Sequence, residues 1–212
     1  AIKLYFDAWD KVISLMLAFD SYYPSGYFGT VGTDDWIEER AEYVEAAQED
    51  LYATLAVIQQ SNELALKARI AAVSSYLLLL NNDITFASSN ADIDFSTLRT
   101  LDAVDLPRAV NSLTPTPVSA TFIQLYSSLR IRRNQYAHLG SKQFRLDPVD
   151  MCKSMIHQYL ELWPKRPWLN GRLEVLTLGT SGFFEGKQWS PKQELMFSFD
   201  FERAFIPAAA FK

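Results

Sequence analysis

The sequence predicts a mainly all-α protein with a small β-hairpin-like extension near its C-terminal end. Three observations lead to this fold class. Apolar residues recur every three or four positions over most of the chain, which is the period of an amphipathic helix. Helix start signals such as Asp147-Pro148 precede several of these stretches. After Pro164 and Pro167 the pattern changes, and residues 173–178 and 195–201 become β-like.

The first half of the chain is predicted to form two helical regions separated by loops. Residues 3–19 form the first helix, because their apolar side chains share one face. Residues 22–32 are rich in Gly and contain Pro24, which is typical of a loop. Asp34 or Asp35 is a candidate N-cap for a long helical region that bends or breaks near Asp50 and continues to about residue 77. The polar residues 81–94 form the next loop.

Three further helices are predicted before the pattern changes. The first covers residues 102–112, with Pro107 in its opening turn, where a missing N–H costs little. Residues 114–117 break the chain, and a helix from about Val118 stops at Gly140. Asp147 then caps a helix that reaches about Trp163. The β-like segments would form two strands around the loop 179–191.

Length and composition indicate one principal domain. We expect residues 1–168 to form a helical bundle, and residues 169–212 to form a β-rich extension that could link to another domain. No uninterrupted apolar run approaches the roughly 18 residues of a membrane span, and the N-terminus lacks a secretory signal. A start at Ala1 without methionine suggests a piece of a longer protein. With Cys152 as its one cysteine and two histidines, a cytoplasmic protein without metal or cofactor is expected.

The charge of the chain is unevenly distributed. Its net charge is −5, but residues 34–50 alone carry −7, so the remainder carries +2 by difference. This acidic stretch is either a solvated helix face or a docking surface for a basic partner. The basic residues peak locally at Arg130, Arg132 and Arg133. The overall negative charge therefore does not exclude an RNA-facing cleft.

Residues 130–140 combine this basic cluster with one of the two histidines. RNA carries its own nucleophile, the 2′-OH, so a ribonuclease must move protons and stabilise the crowded phosphate. Imidazole titrates near pH ~6.5, so His138 could transfer the protons, and the negative end of the helix dipole would favour its charged form. The guanidinium of Arg133 could bind the phosphate, with Arg130 and Arg132 beside it. Asn134 precedes His138 by one turn and could orient its imidazole.

The spacing within this segment leaves two interpretations open. Arg133 and His138 lie five residues apart, roughly 140° around an ideal helix, so one helix does not aim both at the same atom. Either the last turn is distorted or the site is shared between two chains. A two-fold dimer would bring both residues of each chain into one groove, and on this interpretation the chemistry predicts a homodimer. In the alternative interpretation the arginines are solvated or paired with the acidic stretch, and His138 only ends a helix.

The segment Arg133-Asn134-x-x-Ala137-His138, at the end of an amphipathic helix, resembles the Arg-x4-6-His signature of the HEPN superfamily. Residues 59–70 are similar to the long-helix segment that precedes this signature in many members, and the resemblance covers about residues 51–163. It implies an up-down helical bundle, a homodimer and metal-independent endoribonuclease activity. Arg133 and His138 would be the catalytic pair and Asn134 a polar auxiliary.

The resemblance also implies a biological setting. Such proteins commonly belong to bacterial or archaeal toxin–antitoxin or antiviral defence systems, with RNA as substrate and a protein antitoxin or other regulatory partner. Some members are inactive, so the alternative function is a silent dimerisation, RNA-binding or sensor module. Gly140 stands where some toxins carry a modifiable tyrosine, which departs from that type of regulation. Glu63 and Lys67 either pair with each other at i, i+4 or help to orient Arg133 from the neighbouring helix.

Overall fold

The computed structural model describes residues 1–23, 34–79, 100–139, 144–179, 183, 186–187 and 190–211. Their regular structure is helical, and the all-α fold class is confirmed. The α-helices are α1 (Ile2–Tyr22), α2 (Asp34–Ala46), α3 (Gln48–Val73), α4 (Leu106–Leu113), α5 (Ala120–Leu139), α6 (Pro148–Leu162), α7 (Trp168–Leu178) and α8 (Pro191–Glu202). Short 3₁₀ helices cover Ser75–Leu79 and Ala208–Phe211. None of the described helices is both long enough and apolar enough to cross a membrane.

Local signals place most of these helices where the sequence predicts them. Asp147 caps α6, since its carboxylate accepts from the N–H groups of Val149 and Asp150. Pro107 lies in the first turn of α4, as expected. The break predicted near Asp50 occurs at Ala47, between α2 and α3. The predicted N-cap at residues 34–35 and most of the loops 22–32 and 81–94 lie outside the described residues and side chains.

The predicted β-hairpin-like extension is wrong for the residues that the structure describes, because residues 173–178 lie in α7 and residues 195–201 lie in α8. The side chain of Ser190 caps α8 by accepting from Gln193 N–H, and Pro191 follows at the first helical position. Phe197, which a strand would place on the same face as Phe199, is 76% exposed. Burial along α8 follows a helical period from Pro191 to Glu202. The domain boundary predicted after residue 168 falls at the first residue of α7.

The core forms around α1, which packs against α3, α6 and α7. Its buried aromatic residues meet those of the C-terminal half, since Trp9 and Trp168 have ring centroids 4.6 Å apart. The hydroxyl of Tyr5 donates to the carbonyl of Met155 at 2.8 Å. Trp168 is fully buried and is therefore a core residue. A second cluster joins α3, α4 and α5 around Leu66.

A buried ion cluster fixes α7 and α8 to α1. The guanidinium of Arg172 makes two hydrogen bonds to Asp10, one of them 2.9 Å long, and approaches Glu202 at 3.4 Å. The side chain of Arg172 is 4% exposed and that of Glu202 is fully buried. Burial raises the pKa of the Glu202 carboxyl despite the opposing charge of Arg172, and burial likewise raises the pKa of Asp10. The C-terminal helices are thus tied to the first helix by charge as well as by packing.

Candidate functional site

The motif residues lie in the last turns of α5. The hydroxyl of Ser119 accepts from Phe122 N–H at the start of this helix. Phe122, Tyr126 and Leu129 bury one face of α5 against the neighbouring helices. Because α5 spans Ala120–Leu139, His138 is in its final described turn. The imidazole of His138 and the predicted stop at Gly140 lie outside the described side chains and residues.

Arg133 is held by Glu63 of α3. Its Nη2 atom donates to Glu63 Oε1 at 2.9 Å, and the two side chains are 31% and 22% exposed. Gln59, one turn earlier on α3, donates to the same carboxylate oxygen at 3.4 Å. A pair this exposed contributes about 0 to 1 kcal/mol to stability. Its main consequence is that the guanidinium has a defined direction.

The two auxiliary candidates on α3 have separate contacts. Lys67 donates to the hydroxyl of Thr100 at 2.8 Å, whereas Glu63 faces Arg133. Glu63 thus contacts Arg133 and not Lys67, and an orienting role for it stays a prediction. Asn134 is half-buried beside Arg133 on α5, one helical turn before His138.

The other two arginines of the cluster, Arg130 and Arg132, differ in their exposure and in their surroundings. Arg130 is half-buried, whereas Arg132 is exposed and its Cζ lies 5.6 Å from the ring centroid of Phe144. Arg132 therefore faces the segment that leads into α6, and Arg133 faces α3. Arg132 therefore does not continue a phosphate-binding surface from Arg133, whereas Arg130, three residues before Arg133, shares its helix face.

Tyr126 is a member of the site that sequence reasoning missed. Its hydroxyl donates to the carbonyl of Ala103 at 2.7 Å. Burial raises its pKa well above the ordinary value, the charge of Glu63 raises it further, and Arg130 and Arg133 oppose the change. Tyr126 lies seven residues before Arg133, on the same face of α5. That two-turn spacing was the available signal.

Three buried amide side chains also escaped the sequence analysis. Gln59, Asn62 and Gln158 are fully buried, and each has at least one polar atom without a hydrogen-bond partner among the described residues. An unpaired buried polar group costs about 1–3 kcal/mol. Gln48 shows the contrast, because its amide donates to the carbonyls of Val44 and Leu146 and accepts from Leu146 N–H. The interior between α3 and α6 therefore contains polar side-chain atoms without hydrogen-bond partners, close to α5, the helix that carries the motif.

The acidic stretch is partly engaged by basic and phenolic groups. Arg145 donates to the carbonyl of Ala41 at 2.6 Å and lies 3.6 Å from the Glu45 carboxylate. The Tyr136 hydroxyl donates to Glu49 at 2.6 Å. The pairing of Arg133 with α3 differs from the hypothesis that the arginine cluster pairs with the acidic stretch. Within the described part of the chain, no cluster of three or more His, Cys, Asp or Glu side chains could hold a metal ion.

The fold and this geometry define the chain as an all-α protein with a charged site between α3 and α5. No model of a known protein family matches the chain, and no curated protein or solved structure matches it either.

Proposed function

We propose that this chain is a HEPN-like, metal-independent endoribonuclease that works as a homodimer. The observation that carries the proposal is the position of Arg133. Its guanidinium is partly exposed, is held at 2.9 Å by Glu63 of α3, and precedes His138 by five residues on one helix. The Arg-x4-6-His resemblance of the sequence supports the same activity.

The proposed chemistry uses the nucleophile that RNA supplies. His138 transfers protons during attack of the 2′-OH on the adjacent phosphate and departure of the 5′-oxygen. Arg133 binds the non-bridging oxygens, and Asn134 orients the imidazole or donates to the phosphate. Arg130 contacts a neighbouring phosphate of the strand, and Arg132, which faces the segment leading into α6, contacts a phosphate farther from the cleaved bond. The products are a 2′,3′-cyclic phosphate and a 5′-hydroxyl.

The test is cleavage of a generic single-stranded RNA in EDTA. Wild type, Arg133→Ala and His138→Ala are compared, and the ends of the products are identified. The proposal expects cyclic-phosphate ends from wild type and loss of cleavage in both variants. Equal background cleavage by all three proteins would contradict the proposed nuclease activity.

The homodimer is proposed to form through the outer face of α5. Ile131 is 49% exposed there, beside a shallow groove that contains Ser127, Ser128 and Gln135. A two-fold axis at this face would bring the two motif helices together.

We expect wild type to have the mass of a dimer by light scattering at micromolar concentration, and Ile131→Asp to have that of a monomer. Burying a carboxylate in an apolar contact is unfavourable, which is the reason for the expected dissociation. Val104→Asp is the matched control, because Val104 is similarly exposed at 54% but lies before α4. A monomeric wild type would contradict the shared site.

A second candidate function is a silent HEPN-like dimerisation, RNA-binding or sensor module. The observation in its favour is the Glu63–Arg133 ion pair, because it partly neutralises the charge that phosphate would need.

Glu63→Ala separates the two functions. In an enzyme, loss of the orienting contact is expected to lower cleavage by about 10- to 100-fold, since small misplacements of catalytic groups are costly. Glu63→Gln should recover much of that rate, because its amide oxygen still accepts from Arg133. In a silent module, Glu63→Ala would raise RNA affinity without any cleavage. Glu38→Ala on the exposed face of α2 is the charge-matched control.

The setting of this activity is proposed from the resemblance alone. It places the protein in the cytoplasm of a bacterium or archaeon, in a toxin–antitoxin or antiviral defence system. A protein antitoxin or other regulatory partner would control the nuclease.

A further inference from the structure

A cavity of about 180 Å³ lies between α3, α5 and the first half of α6. Its inner walls are apolar and come from all three helices: Leu55, Ile58, Leu129, Met151 and Met155. Its rim carries exposed polar and charged side chains, including those of Arg132, Arg145 and Asp150. The cavity is therefore open on its charged side and closed on its apolar side.

Gln158 gives the closed side one polar group. It lines the cavity and is fully buried, and neither its Nε2 nor its Oε1 atom has a hydrogen-bond partner among the described residues. A buried amide in an apolar wall is costly unless something pairs with it. The amide presents a donor and an acceptor side by side. A ligand that offers the complementary pair would satisfy both atoms at once.

The rim contains one cation suited to a phosphate. Arg145 is engaged by Ala41 and Glu45, and Asp147 caps α6. Arg132 instead places its guanidinium over the ring of Phe144. No hydrogen bond or ion pair engages the Arg132 N–H groups within the described residues, so these groups can donate to an anion.

We propose that this cavity binds a nucleobase, with Gln158 pairing to its hydrogen-bonding edge and Arg132 contacting the attached phosphate. A cavity on the order of 150 Å³ holds one aromatic ring, so the observed volume suits a base whose attached sugar and phosphate extend through the open side. Amide side chains pair with the adjacent donor and acceptor of base edges. Methionine sulfur atoms, present here in Met151 and Met155, make favourable contacts with aromatic rings. The base comes from a free nucleotide or from an RNA strand, and its chemistry is the same in both.

Binding is measured by calorimetry, with adenosine and uridine 5′-monophosphates as free nucleotides and a 2′-O-methyl RNA oligomer as the strand. The oligomer has no 2′-OH nucleophile, so its binding does not depend on the proposed nuclease activity. Ribose 5-phosphate is the control for attraction by phosphate alone. Saturation by a mononucleotide identifies a free nucleotide as the ligand. Binding of the oligomer alone identifies a base-binding subsite for RNA.

Gln158→Met is expected to weaken binding at least tenfold while thermal stability stays equal or rises, because methionine fills similar space without unpaired polar atoms. Arg132→Ala should weaken nucleotide binding and leave adenosine binding unchanged. Arg108→Ala, at an exposed position of α4, removes the same charge elsewhere and should change neither. If wild type bound neither of the two nucleotides nor the oligomer, the proposal would be overturned. Equal affinity for ribose 5-phosphate, or full binding by Gln158→Met, would also overturn it.

Discussion

Replacing His138 by alanine is expected to lower the rate of RNA cleavage by about 10²- to 10⁴-fold, the range that a general acid or base contributes. His138 is in the last turn of α5 that the structure describes. The rate constant is measured under single-turnover conditions with RNA in EDTA, so that product release does not mask the chemical step.

The matched control is His157→Gln, which removes the other imidazole of the chain. His157 lies on α6, and its Nε2 atom is buried without a partner among the described residues. We expect this variant to keep the wild-type cleavage rate. If both histidine variants lost activity equally, loss of folding would explain the result better than loss of a proton donor. If neither lost activity, His138 would have no catalytic role.

Replacing Arg172 by methionine is expected to destabilise the protein by about 3–5 kcal/mol, because it leaves Glu202 as a buried charge without its cation. The free energy of unfolding is measured by urea titration. Arg203→Met is the control, since Arg203 is exposed, and its effect should stay within about 0.5 kcal/mol. A loss of similar size in both variants would contradict a special role for the buried cluster.

The loss in free energy of unfolding caused by Arg172→Met, called the deficit below, should be smaller at acidic pH. The pKa values of Asp10 and Glu202 are raised in the folded protein, so the folded state binds these protons more tightly than the unfolded chain. Their contribution to stability is present below the unfolded pKa and is lost as the pH rises through the folded pKa. The charge of Arg172 lowers both pKa values, so its removal raises them further, and the variant loses more stability than wild type as the pH rises. The deficit should therefore be larger at pH 7 than near pH 5. An unchanged deficit would mean that Glu202 does not titrate in this range.

The helices could be predicted from the sequence wherever the signal was local. Asp147-Pro148 marks the start of α6 because capping involves only neighbouring backbone groups. The same start signal, a capping residue followed by proline, is present at Ser190-Pro191, but the alternating Phe residues after it favoured a strand. Burial decides between the two, because it brings Leu195 and Phe199, four residues apart, to one face while Met196 and Phe197 face outward. The alternation of apolar residues in 195–201 therefore did not indicate the direction in which their side chains point.

The site was predictable only in part, because its contacts join distant segments. The position of Arg133 on a half-buried helix follows from the period of α5. Its partner Glu63 lies 70 residues earlier. The sequence could name Glu63 but could not choose between Lys67 and Arg133 as its partner. Gln158 has no sequence signal at all, since an amide within an amphipathic helix is ordinary until its burial is known.

The bonds of α1 also determine the order in which the chain can fold during synthesis. The carbonyl of Ala1 accepts a hydrogen bond from the Ser61 hydroxyl. The Tyr5 hydroxyl donates to the Met155 carbonyl, and the Asp10 carboxylate accepts from Arg172. The partners of the first helix thus emerge from the ribosome progressively later. Its aromatic face must wait for α6 and α7, and such delayed, non-local burial leaves apolar surface open to aggregation. Ribosome-bound chains ending before residue 168 should therefore depend more on chaperones than chains that include α7 and α8.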